Sequence, residues 1–276
     1  SPEEALARIQ QMLAQEPDNP TGQLSLGTLL FQQGRFDEAR PHLEKAAELA
    51  PNSVEAHATL AVVLEQLNEL AEAEQQYSEA LRILPDNTDI RIRRAALRNR
   101  LDRQQEALDD LDQVLQTDPG IIQAIFGKGI LLQSMNRGDE AIATMRTVEQ
   151  QTEEPQARAQ AHMLIGQWLG EAGQTDLAID EFKKALAIQP GLETAQLALA
   201  NVAADSGRYA EAAEQFDKVV AASPDNQQAR FSLAVALLMT ERYPAALAAI
   251  EDSVARFPQW IAMEHVLARL LADGFQ

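Results

Sequence analysis

Residues 17–51 read PDNPTGQLSLGTLLFQQGRFDEARPHLEKAAELAP, and residues 51–85 repeat the plan as PNSVEAHATLAVVLEQLNELAEAEQQYSEALRILP. Each span runs from a proline to another 34 residues on and holds two apolar stripes at helical spacing with a polar turn between them. In the first, Leu26, Gly27 and Leu30 form one stripe, Gly34 and Arg35 the turn, and Ala39, Leu43 and Ala46 the other. Apolar residues at helical intervals on either side of a breaker describe a helical hairpin. The small residues at 27 and 39 let two helix backbones approach closely where they cross.

The pattern continues along the chain. Prolines at Pro17, Pro51, Pro85 and Pro119 share the 34-residue period with Pro190, Pro224 and Pro258. The 71 residues between Pro119 and Pro190 are two periods plus three, so the junction around residues 151–158, which contains Pro155, carries a small insertion. The small pair recurs as Ala61 and Ala73, Ala95 and Ala107, Gly129 and Ala141, Gly166 and Ala178, Ala200 and Ala212, and Ala234 and Ala246. A fixed period of this length marks a stacked repeat array, all-α in class. The boundaries expected are a capping helix at 1–19, repeats at 20–53, 54–87, 88–121, 122–158 (with the insertion), 159–192, 193–226 and 227–260, and a second cap at 261–276. The caps carry Ala5, Leu6, Ile9, Met12 and Leu13 on one side of the first helix, and Trp260, Met263, Leu267, Leu270 and Leu271 on one arc of the last. Polar residues, among them Glu4, Arg8, His265, Arg269 and Asp273, back both stripes, which suits the ends of a stack.

Composition narrows the function. With 23 Lys and Arg against 42 Asp and Glu, the net charge is −19, and only 5% of the residues are aromatic. Such a field repels phosphate backbones and anionic lipid, so neither nucleic acid nor direct membrane insertion is expected. No cysteine is present, which removes disulfides, thiolate metal sites and cysteine nucleophiles. No stretch approaches the ~20 apolar residues of a membrane span. Cytoplasm and periplasm both remain open, and any signal, anchor or further domain would lie outside this chain.

A catalytic constellation is not legible. His42, His57, His162 and His265 fall in different parts of the array without a second ligand type at metal-binding spacing, so no metal is expected. Gly127-Lys128-Gly129 lies inside a helix and lacks the remaining glycines of a phosphate loop. Asp86-Asn87-Thr88-Asp89 resembles a calcium-loop fragment, but Pro-Asp-Asn recurs between repeats at 17–19 and 224–226, where such side chains cap the next helix. The run Asp109-Asp110-Leu111-Asp112 reads as a solvated face. The expectation is no enzyme and no cofactor.

Ile165-Gly166, Ala178, Phe182 and Pro190, together with Ala73, Tyr77 and Pro85, resemble the 34-residue pattern of the tetratricopeptide repeat family, in a bacterial-type multi-repeat form. That family's leading Trp is absent, its slot holding Gln23, His57, Arg91, Ile125, His162, Gln196 and Arg230. The resemblance implies a right-handed superhelical solenoid of antiparallel helix pairs and a protein-binding groove lined by the first helix of each repeat. Counted from the third residue after each proline, and in the fifth unit from Ala159, its fifth slot holds Leu24, Ala58, Ile92, Phe126, Met163, Leu197 and Phe231. The ninth holds Thr28, Val62, Ala96, Ile130, Gln167, Asn201 and Val235, and the twelfth adds Phe31 and Leu238. This largely apolar strip is the candidate site for a partner's helix or extended segment; packing under adjacent helices and self-association are the alternatives. The family's carboxylate clamp, with Lys at slot five and Asn at slot nine of one helix, is absent, as is its ladder of asparagines at slot six. The resemblance therefore implies a non-catalytic scaffold for a protein or peptide, or else an accessory domain of a larger enzyme or envelope-assembly machine.

Arg91, Arg93, Arg94, Arg98, Arg100 and Arg103 crowd residues 91–103. Arg91, Arg94 and Arg98 share one helix face, with Arg91 and Arg94 expected to face neighbouring helices; pairing of the cluster with carboxylates of those helices is one reading and an acidic contact on the partner the other. Arg93 and Arg100 lie beside Ile92 and Ala96, where they are candidate contacts for an acidic partner.

Overall fold

The structure, a computed structural model, describes the backbone of residues 2–272 and the side chains of residue 4 and residues 6–269. The expectations for Ala5, Leu270, Leu271 and Asp273 fall outside those side chains. Every regular element among the described residues is a helix. The chain forms two compact units, Ser1–Arg137 and Gly138–Gln276. The first contains α1 (Pro2–Gln15), α2 (Pro20–Gln32), α3 (Phe36–Leu49), α4 (Val54–Gln66), α5 (Leu70–Ile83), α6 (Thr88–Arg100), α7 (Gln104–Thr117) and α8 (Ile122–Ser134). The second contains α9 (Gly138–Arg146), α10 (Val148–Gln151), α11 (Pro155–Glu171), α12 (Thr175–Ile188), α13 (Glu193–Asp205), α14 (Tyr209–Ala222), α15 (Gln227–Met239), α16 (Tyr243–Arg256) and α17 (Ile261–Ala272).

Local chemistry sets the helix ends. Asn19, Asn87 and Asn226 accept from the amides of Gly22, Ile90 and Ala229 at 2.9–3.0 Å, and Ser53 does the same for Ala56 at 3.2 Å. These are N-caps, as the Pro-Asp-Asn turns suggest. The turn inside each hairpin is a left-handed residue: Gly34, Asn68, Asp102, Asn136, Gly173, Gly207 and Glu241 all have positive φ. The following amide reaches back to the helix, as in Arg35 to Leu30 at 2.9 Å and Arg242 to Leu237 at 3.0 Å, closing a Schellman motif. Glu241, at φ 56°, is the least suited of the seven, because a non-glycine Cβ crowds its own carbonyl in this conformation. Replacing Glu241 by Gly should therefore raise stability by about 0.5–1 kcal/mol, the relief of strain being partly offset by the freer unfolded chain. Urea denaturation would measure it, and a loss of stability would show that the turn is unstrained.

Packing explains the small residues. Ala39, Ala73, Ala107, Ala141, Ala178, Ala212 and Ala246 are fully covered. Four residues after each of these alanines a large side chain is buried: Leu43, Tyr77, Leu111, Met145, Phe182, Phe216 and Ile250. A Cβ placed on Gly27 would meet Leu43 Cγ at 2.5 Å, and one on Gly166 would meet the Phe182 ring at 2.8 Å. At α1, Leu6, Ile9 and Leu13 pack on the core of the first unit, while at the other end Met263 is buried with Trp260 and Leu267 against it. The polar backs of both helices, including Glu4, Arg8, His265 and Arg269, face solvent.

The insertion remodels its own neighbourhood. The usual 14-residue second helix is replaced by the nine-residue α9 and the four-residue α10, joined at Thr147. The next first helix, α11, grows to 17 residues with Pro155 in its first turn, where a missing amide hydrogen costs nothing.

Candidate functional site

First helices of successive repeats touch, α2 with α4 and α6 with α8 in the first unit, and α11 with α13 in the second. Slots five and nine are one turn apart on these helices and play different parts. In the first unit, Leu24, Ala58, Val62 and Phe31 are half-buried and pack on the core. Ile92 is only 8% exposed and belongs to the core itself. Phe126 is half-buried, Ala96 is exposed, and Ile130 is 51% exposed. Thr28 is half-buried and its hydroxyl has no hydrogen-bond partner. Thr28 and Leu24, with Thr21, Ser25, Leu29 and Gln32 of α2, Ile9 of α1 and Glu55 of α4, line an open cavity of about 330 Å³.

The second unit shows the same division. Met163 is half-buried and accepts a hydrogen bond from the Thr194 hydroxyl at 3.4 Å. Leu197 and Leu238 pack half-buried on the core, and Phe231 lies 6.5 Å from Trp260, ring centre to ring centre. Gln167 and Asn201 are exposed and polar. Val235 is 39% exposed and Met239, one turn further, 55%. Slot five forms the floor of this surface, and slot nine presents accessible side chains at Ala96, Ile130, Gln167, Asn201 and Val235 but not at the half-buried Thr28 and Val62.

The arginine helix α6 separates its charges by face. Asp110 is 2% exposed, so the reading of Asp109-Asp110-Leu111-Asp112 as a uniformly solvated face is corrected at this residue. Arg94 grips it in a fork, Nε to Oδ2 at 2.9 Å and Nη2 to Oδ1 at 2.6 Å. Arg98 adds a bond at 2.9 Å and also holds Glu74, while Arg91 lies 3.6 Å from Asp110. Burial pushes the Glu74 carboxyl upward, but hydrogen bonds and charge from Arg98 and Arg103 overcome it and hold the group below its usual range. On the other face Arg93 and Arg100 are exposed, and Arg100 stands 3.4 Å from Glu65. Glu65 also accepts from the buried Tyr77 hydroxyl at 2.5 Å, and burial together with that carboxylate drives the phenol pKa well up.

One recurrent contact escaped sequence reasoning. In four repeats the side chain in the vacant Trp slot donates to the carbonyl of the proline six residues earlier: Gln23 to Pro17 at 2.7 Å, Gln196 to Pro190 at 2.8 Å, Arg230 to Pro224 at 2.6 Å, and Arg91 to Pro85, whereas Ile125 has no polar group to do so. His57 lies 3.3 Å from the Pro51 carbonyl in the same way. A polar tether thus replaces an aromatic plug. The constant six-residue spacing from proline to slot was the available signal. No group of three or more His, Asp or Glu among the described residues is placed to hold a metal.

A family model for the tetratricopeptide repeat matches residues 1–54, 24–88, 126–193 and 197–259, together well over half of the chain. The chain belongs to the tetratricopeptide repeat family. Among solved structures, the C-terminal part of a tetratricopeptide repeat protein from Cytophaga hutchinsonii is similar, with a TM-score of 0.73 at 14% identity, over 84% of this chain and 94% of that one. YrrB, described as a tetratricopeptide repeat protein with an unusual peptide-binding site, gives 0.56 at 21% identity, over 68% of this chain and 95% of its own. A chain of the Naa15/Naa10 structure bound to HypK-THB gives 0.57 at 17% identity over 95% of this chain, which spans 41% of that longer one. No curated protein matches. Among the described residues no helix is long and apolar enough to cross a membrane.

Proposed function

We propose that this tetratricopeptide repeat protein is a non-catalytic scaffold that binds a protein segment along the first-helix face of its units. The observation that carries the reading is the exposure of Ile130, Val235 and Met239 above a half-buried apolar floor, since large apolar side chains left in water on a repeat surface mark places where a partner excludes that water. A peptide-binding site in YrrB, which shares the fold, supports it. Arg93 and Arg100 add two exposed cations to this face of the first unit, in a chain whose net charge is −19, so a segment bound there carries acidic side chains near its apolar anchor. Leu24, Thr28, Phe31, Ala58, Val62 and Phe126 complete the surface of the first unit, and Met163, Gln167, Leu197, Asn201, Phe231 and Leu238 that of the second.

Ile130→Asp and Val235→Asp place charges on exposed positions and should leave the helical signal and melting temperature unchanged. Each should weaken capture of partners from the native lysate, with a loss of about 2 kcal/mol, or some thirtyfold, at a true anchor. Arg93→Gln with Arg100→Gln should also leave stability nearly unchanged, because exposed pairs contribute about 0–1 kcal/mol, and should flatten the salt dependence of binding. Full binding by all of these variants would remove the assignment. A second reading, an accessory domain within a larger assembly, is favoured by the match to less than half of a chain from the Naa15/Naa10 structure. Co-purification of the full-length product with a stable enzyme subunit would support it.

A further inference from the structure

The fifth repeat departs from the tether rule. Its Trp-slot residue, His162, has no proline six positions back, because the insertion places Gln156 there. The imidazole is 5% exposed and reaches two carboxylates instead: Nδ1 lies 2.6 Å from Glu181 Oε2 on α12, and Nε2 lies 2.8 Å from Glu149 Oε1 on α10. An ionised carboxylate only accepts, so both contacts are hydrogen bonds together when the ring is the imidazolium, which donates from both nitrogens. The two acids sit on opposite sides of the ring and cannot converge on one metal ion, in keeping with the absence of a metal-type cluster among the described residues.

We propose that His162 is a pH-operated latch on the inserted segment: doubly protonated it ties α10 to α12, and after losing a proton it releases Glu149, loosening residues 148–152 over the cavity beneath. That cavity measures about 290 Å³ and is lined by Met145, Arg146, Glu149, His162, Glu181 and Lys184 among others. Glu149 is the partner that leaves. Its side chain is 47% exposed and can be taken up by water, whereas Glu181 is buried and keeps Lys184 Nζ at 2.9 Å. The segment has little else to hold it, since a four-residue helix is far below the length that sustains itself and only Val148 is buried.

The surrounding charges fix the direction of the response. Arg146 comes from α9, Glu149 from α10, and Glu181 and Lys184 from α12, while on α13 Glu193 is engaged with the Ser223 hydroxyl at 2.7 Å. The hydrogen bond to Glu181 raises the imidazole above its usual 6.5, burial works against it, and Glu149 adds to the rise. A group whose pKa is raised by folding stabilises fully below its unfolded value and loses that contribution as pH climbs through the folded value. The latch is therefore shut at pH 6 and opens as pH climbs through the raised folded value. Burial pushes Glu181 up, but hydrogen bonds from His162 and Lys184 hold it below 4.5, so its own titration lies at acid pH, outside this window.

Amide hydrogen exchange of the whole chain, corrected for intrinsic rates and followed from pH 6 to pH 9, tests the latch. Protection of residues 148–152 should fall about tenfold or more across that range, the effect of losing one charge-assisted hydrogen bond, while α5 and α6 stay constant. In His162→Gln, a residue that fills the same slot at Gln23 and Gln196, protection should be low and flat. Glu149→Gln, a change on a half-exposed side chain that leaves packing alone, should also remove most of the pH dependence. A flat wild-type profile, or the wild-type pH dependence persisting in Glu149→Gln, would overturn the proposal.

Discussion

Asp110→Ala is expected to lower the stability of the first unit by about 3–5 kcal/mol, the cost of stripping a buried carboxylate from charges that remain. Asp110 is almost fully covered and accepts from Arg94 through both nitrogens and from Arg98. Removing it leaves guanidinium groups that are each only 13% exposed with part of their charge uncompensated. Asp109→Ala and Asp112→Ala, one residue before and two after, should each cost no more than about 1 kcal/mol, because both side chains lie in solvent. The chain offers a convenient readout, since Trp168 and Trp260 both belong to the second unit. Circular dichroism follows both units, and tryptophan fluorescence the second alone. Asp110→Ala should shift the circular dichroism transition and leave fluorescence in place, because repeat stability is largely local. Equal effects from the three aspartates would mean that the buried network contributes nothing special. Acid should weaken the same region: the Glu74 carboxyl is depressed by folding, so its contribution is present above pH 4.5 and is lost as pH falls through its folded value.

The second large effect is expected at the crossing of α11 and α12. Phe182→Ala should cost about 3–5 kcal/mol, since the ring is 1% exposed and its removal leaves a cavity in the second unit. Gly166→Ala should cost about 1–3 kcal/mol by overpacking, because the new methyl group would meet that ring at 2.8 Å. Made together, the two changes should cost clearly less than their sum, as the methyl group enters space that the ring has vacated. Strict additivity in urea titrations would show that the glycine and the ring do not share the crossing.

Much of the fold is legible because the repeat prints its physics many times. Proline at the loop, Asn at the cap, Ala at the crossing and a large residue four positions later each recur at one spacing, so local chemistry and array agree at every level. What escaped depends on partners far along the chain. Asp110 sits among acidic neighbours, and charge alone suggested water. Its place on the stripe of Ala107, Leu111 and Val114 was the contrary signal, and Arg94 and Arg98 supply the compensation. The insertion was visible as three extra residues, but not that α9 would stop at Arg146 or that His162 would find Glu149. The candidate strip could be listed from slots, whereas its division into a half-buried floor and exposed anchors needed the packing of the neighbouring helices. Ile92 and Ile130, both apolar and both on that list, end up on opposite sides of this division.

The most direct test of the scaffold reading is site-specific photocrosslinking in the native cell. A photoreactive residue would replace Ile130 in one variant and Val235 in another, with exposed second-helix positions Asp109 and Asp180 as references in the same two units. The account predicts discrete adducts to a partner protein from position 130 or 235, those from 130 becoming weaker and less salt-dependent when Arg93 and Arg100 are replaced, and none above background from 109 or 180. Adducts arising only from the second-helix positions, or equally from all four, would contradict it.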